Sequence, residues 1–141
     1  MKICDDLYWY PLRKPIQTLL GRGATCNVFA INQGDEIWLI DAGTIRLGRF
    51  QRILKYMQQD GLDSKKITKI FITHAHGDHT TAIPYFQTKF HAEVYIHEAD
   101  APLLAGGEDA FWAFEVQAAG ALKNSCFLSM IDYYAMRGVF R

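Results

Sequence analysis

The stretch that most constrains this chain is Ile67–Thr73 (ITKIFIT), which runs without a break into His74-Ala75-His76-Gly77-Asp78-His79. The first seven residues are mostly β-branched or aromatic, the composition of a buried strand. The next six hold three imidazoles and a carboxylate. Open α/β sheets place their ligand sites at the carboxyl ends of strands, and the cluster falls at such an end. In an extended backbone alternate side chains share a face, so His74 and His76 can converge on one ion. Gly77 lacks the Cβ that disfavours positive φ and is expected to let the chain turn sharply, bringing Asp78 and His79 alongside. A single histidine at a strand end is usually structural or solvent-facing. Four donors at this spacing read as metal ligands, and nitrogen with carboxylate suits Zn²⁺ or, less selectively, Fe or Mn.

The rest of the chain alternates strand and helix signals. Ile16–Leu20 is a short strand candidate, followed by a turn at Gly21-Arg22-Gly23. Cys26–Ile31 (CNVFAI) and Glu36–Ile40 (EIWLI) flank Asn32-Gln33-Gly34-Asp35, two β-rich runs about a Gly-containing turn, which predicts a hairpin. From Leu47 to Asp60 the period changes: Leu47, Phe50, Ile53, Leu54 and Met57 recur at steps of three and four until Gly61. After the metal cluster a helix is expected near Pro84, then a strand Glu93–His97, then helical material from Asp100 to Lys123 broken at Gly106-Gly107. This order predicts an α/β fold with a mixed sheet that begins from an antiparallel hairpin, in a single domain over 1–141.

Composition narrows the function classes. Half of the 141 residues are hydrophobic, enough for a real core rather than disorder. The formal net charge is zero and no Lys/Arg run exceeds Lys65-Lys66, so nothing points to a nucleic-acid partner. Cys4, Cys26 and Cys126 form no CxxC pair and are odd in number, which reads as free thiols in a reducing compartment. The opening MKICDDLYWYPLRKP has no continuous apolar stretch of the signal-peptide kind, and no apolar run is long enough to span a bilayer. A cytoplasmic protein with no membrane partner is expected.

THAHGDH matches the HxHxDH motif, and the chain thereby resembles the metallo-β-lactamase superfamily of mostly hydrolytic enzymes. CNVFAI before a turn resembles the family's early hairpin, WLIDAGT its strand ending in Asp-x-Gly, and ITKIFITHAHGDHTTAIPYF its strand, metal loop and Pro-led helix. The resemblance covers about 16–123 and is most specific at 73–79. It implies the first half of an αββα sandwich. It also implies that His74 and His76 bind a first metal and that Asp78 and His79 bind a second. Hydroxide held between the two ions would attack an ester, thioester, amide or phosphodiester, with Asp78 also taking part in proton transfer. Asp41, ending its strand, is expected to brace the metal loop by hydrogen bonds rather than to touch metal. One or two zinc ions are the implied cofactor, with Fe or Mn as alternatives.

The family's later ligands have no counterpart. All five histidines lie at or before His97, and the surroundings of Asp132 (SMIDYYA) do not resemble a metal loop. His91 and His97 are not expected to be ligands. The chain therefore reads as a truncated domain with an atypical tail over 124–141, marginally folded or self-associating through an uncovered sheet face. Two other readings stay open: a weakly metal-binding fragment without turnover, and a mononuclear iron relative that oxidises sulfur compounds. Phe111, Trp112 and Phe114 are read as core rather than as a substrate groove. The substrate, a small molecule, is not fixed by fold kinship.

Overall fold

The computed structural model describes residues 1–12, 26–45 and 48–105. The chain divides into two compact units, Met1–Ile96 and His97–Arg141. The first unit carries a six-stranded mixed sheet whose strands lie in chain order. They are β1 (Lys2–Cys4), β2 (Leu7–Pro11), β3 (Asn27–Asn32), β4 (Ile37–Ile40), β5 (Ile67–Ile72) and β6 (Glu93–Ile96). Strands β1 to β4 form an antiparallel meander, while β4, β5 and β6 run parallel. Helix α1 (Phe50–Gln59) connects β4 to β5, and α2 (Gly77–Thr80) with α3 (Ile83–Phe90) connects β5 to β6. In the second unit the described part holds a short helix α4 (Ala101–Ala105).

The expected hairpin is present one residue displaced, as β3 and β4 joined through Gln33–Glu36, with Gly34 at φ 83°. The expected mixed sheet is also present, but it starts earlier than the sequence reading placed it. Residues 2–11 form a further hairpin whose turn puts Asp6 at φ 63°, a conformation that Asp tolerates better than most residues. The signal was the alternation of Leu7–Pro11, where Tyr8 and Tyr10 point inward. The strand candidate Ile16–Leu20, the Gly106-Gly107 break, the aromatics at 111–114 and the tail 124–141 lie outside the described residues.

Two rows of side chains show why the sheet forms. Tyr8, Ala30, Leu39 and Ile70 are cross-strand neighbours, and all four are buried. Against this side of the unit the helices contribute Phe50, Ile53 and Met57 of α1 with Ile83 and Phe86 of α3, all buried. One residue along each strand, Trp9, Phe29, Ile40, Phe71 and Tyr95 form a second row, on the opposite face. Phe71 stacks on Tyr95 with ring centroids 5.0 Å apart. Helix α1 ends where the glycine signal put it: Gly61 takes φ 75° and the N–H of Leu62 donates to the carbonyl of Met57 at 2.8 Å. No helix among the described residues is long and apolar enough to cross a membrane.

The turn after β4 positions everything that follows. Asp41 and Gly43 both have positive φ, 63° and 75°. A Cβ on Gly43 would stand 2.5 Å from Leu12 Cδ1, and Leu12 is itself buried. Gly43→Ala must therefore adopt a left-handed backbone and displace a core leucine. A stability loss of roughly 2–4 kcal/mol is expected, read as a lower midpoint in thermal unfolding followed by circular dichroism. An unchanged midpoint would mean that neither the backbone nor Leu12 is constrained there.

Candidate metal centre

The His-rich segment begins where β5 ends. Thr73 to His76 leave the sheet in an irregular path, and Gly77 opens the single helical turn α2 with His76 as its cap residue. Gly77 is thus helical, not at positive φ: the chain turns by starting a helix, which brings Asp78 and His79 round within that turn. This path brings the rings of His74, His76 and His79 side by side. The ring centroids of His74 and His76 are 4.7 Å apart, and those of His74 and His79 are 4.1 Å apart. Asp78 Oδ2 lies 3.6 Å from His79 Nε2, too long for a hydrogen bond but close enough for both atoms to face one small volume. His74, Asp78 and His79 are partly buried, while His76 is exposed.

Asp41 braces this loop from the strand next door. Its carboxylate, 3% exposed as a residue, accepts from the backbone N–H of Thr73 at 2.9 Å and from the Thr73 hydroxyl at 3.0 Å. Its Oδ2 also lies 2.7 Å from His79 Nδ1. Further links tie the two loops together. The Ala42 N–H donates to the His79 carbonyl at 2.9 Å, and the Ala82 N–H donates to the Gly43 carbonyl at 3.2 Å. The Thr81 hydroxyl donates to Thr44 Oγ1 at 3.1 Å and accepts from the Ile45 N–H at 3.3 Å. Two parallel strands thus end in loops that hold each other, so the imidazoles sit on a rigid base.

The electrostatics follow from this packing. Burial lowers the pKa of His74, and the neighbouring His79 and His76 lower it further. For His79 burial also opposes protonation, but the bond to Asp41 and the charges of Asp78 and Asp41 outweigh it and raise the pKa. Cys26, unremarked as a site residue in the sequence, is buried with Sγ 3.7 Å from His79 Nδ1. Cys26, Asp41 and His79 could be read as a ligand trio, since one donor atom from each lies within 4.8 Å of the others. These groups are also bonded to one another and to Thr73. Burial, then the charges of Asp41 and Asp78, push the Cys26 thiol well above its usual range. Asp41 takes three donors, two from Thr73 and one from His79. Asp41 and Cys26 flank His79 Nδ1.

The other two histidines have local roles. His91 is the exposed residue that ends α3 at φ 56°. His97, in the second unit, accepts the Ala99 N–H on Nδ1 at 3.2 Å and opens the turn before α4. Cys4 and Cys26 are free thiols.

The model of the metallo-beta-lactamase superfamily matches residues 21–135. A curated relative, the uncharacterised protein YobT of Bacillus subtilis, is 36% identical over 81 residues, 57% of this chain and 33% of that protein. Ribonuclease Z of Lacticaseibacillus casei is 41% identical over 56 residues, 40% of this chain and 15% of the enzyme. Among solved structures, the metallo-beta-lactamase GOB-18 of Elizabethkingia meningoseptica is similar with a TM-score of 0.52 at 32% identity, covering 55% of this chain and 28% of that one. The chain spans a third or less of the length of each of these relatives.

Proposed function

Because this chain belongs to the metallo-beta-lactamase superfamily, we propose that it forms the metal-binding part of a zinc-dependent hydrolase, with His74, His76, Asp78 and His79 as ligands. The observation that carries the reading is the approach of the His74 ring to those of His76 and His79 over a braced base, with His79 Nδ1 turned back to Asp41 so that Nε2 faces Asp78. This donor set fits zinc: neutral ring nitrogens plus a carboxylate, with carboxylate support behind a ligand ring. The chemistry that a bound zinc supplies is a water whose pKa falls to about 7, a nucleophile at neutral pH. Asp78, partly exposed beside His79, would hold a proton as the leaving group departs. Free thiols at Cys4 and Cys26 suit a reducing, cytoplasmic setting.

The superfamily's hydrolases among the relatives, ribonuclease Z above all, put a phosphodiester first among substrate bonds to test, ahead of ester, thioester and amide. The purified chain is expected to hydrolyse bis(p-nitrophenyl) phosphate or p-nitrophenyl acetate when zinc is supplied. Activity should vanish with a chelator and return with added zinc. Hydrolysis that ignores the chelator would contradict the proposal. A second reading has its own support, because no histidine follows His97 and the chain spans a third or less of the relatives' length. Stoichiometric zinc without turnover would favour that reading, a metal-binding portion that needs further ligands for catalysis.

A further inference from the structure

We propose that Thr73 is a positioning residue whose hydroxyl makes one buried carboxylate, Asp41, orient two metal-site histidines at once. The idea rests on the metal-site reading above, but its argument begins from hydrogen bookkeeping. Thr73 Oγ1 lies 3.0 Å from each Asp41 oxygen and 2.9 Å from His74 Nδ1. A carboxylate only accepts and a hydroxyl has one hydrogen, so that hydrogen points to Asp41. Turned instead to His74, it would leave hydroxyl and carboxylate lone pairs facing each other at 3.0 Å. The hydroxyl oxygen is then the acceptor toward His74, and the hydrogen in that contact belongs to the ring as Nδ1–H. The same argument applied to His79, 2.7 Å from Asp41 Oδ2, also places its hydrogen on Nδ1.

Both rings therefore keep a lone pair on Nε2, the nitrogen free to meet a cation. Asp41 sets His79 directly and sets His74 through Thr73. The two branches can be separated by substitution. Thr73→Val keeps size, β-branching and the backbone N–H that bonds Asp41 at 2.9 Å, and Thr73 is exposed, so the fold loses little. Thr73→Ser keeps the hydroxyl and serves as the rescue.

The test uses the full chain labelled with ¹⁵N, free of metal and at mildly alkaline pH, where long-range ¹H–¹⁵N spectra report which ring nitrogen carries the hydrogen. Wild type and Thr73→Ser are expected to show Nδ1–H at both His74 and His79. Thr73→Val is expected to lose the single tautomer at His74 and keep it at His79. Zinc affinity, measured by competition with a chromophoric chelator, should fall roughly ten- to hundred-fold in Thr73→Val and recover in Thr73→Ser. The proposal is overturned by an unchanged His74 tautomer in the valine variant, by equal losses in serine and valine, or by a matching change at His79. Wild-type protein that takes up no zinc would remove the metal-site reading, while the tautomer spectra would still decide the role of Thr73.

Discussion

Asp41→Ala is expected to destabilise the sheet unit by roughly 3–5 kcal/mol, and Asp41→Asn by roughly 1–3 kcal/mol. The carboxylate is buried and takes three donors: the Thr73 N–H, the Thr73 hydroxyl and His79 Nδ1–H. Alanine removes every acceptor and unties the loop that these part-buried bonds hold to β4. It must also adopt φ 63°, where a Cβ-bearing residue without a local polar partner costs about 1–2 kcal/mol more. Asparagine tolerates that backbone and keeps one acceptor oxygen, so it isolates the charge from the strain. Its amide hydrogens would face either His79 Nδ1–H or the Thr73 hydroxyl. Urea unfolding of the three proteins measures the ordering. In both variants zinc affinity should fall at least roughly tenfold, because a ligand ring loses its backing. Equal stability of all three would show that Asp41 is not the hub that its bonds describe.

The second large effect separates binding from folding. His74→Ala/His76→Ala deletes two of the four proposed ligands, so zinc affinity should fall by well over about a hundredfold, beyond the usual cost of losing an outer partner. Stability should move little, by about 0.5 kcal/mol or less in the metal-free protein. His76 is exposed, and His74 is partly buried with a hydrogen-bond contact to the exposed Thr73. Asp41→Ala and this double variant therefore fail in opposite ways: one weakens the scaffold with the site, the other empties the site and leaves the scaffold.

Much of this arrangement was legible in the residues because short-range chemistry fixes it. A β-branched run ending in alternate histidines must project them from the end of a strand, and Phe50, Ile53 and Met57 could share a face only as a helix. The closeness of His74, His76 and His79 along the chain was plain from their spacing. The mechanism of the turn did not: Gly77 suggested positive φ, whereas the chain bends by starting helix α2 at that glycine. The hairpin at 2–11 has a weak signature, because its alternation is short and its first strand is wholly exposed. Thr73, Cys26 and Thr81 became visible only once β4 and β5 lay side by side, since their partners are 32 to 53 positions away. Asp41 was readable as a brace from its place at a strand end, but its simultaneous hold on Thr73 and His79 is a product of the sheet.

Zinc titration of the purified full chain beside the His74→Ala/His76→Ala variant, by calorimetry and with circular dichroism run on the same samples, weighs this account most directly. Saturable zinc uptake by the wild type, lost in a variant whose spectrum and unfolding midpoint are unchanged, is the predicted result. Equal zinc uptake by both proteins would place any bound ion elsewhere and contradict it.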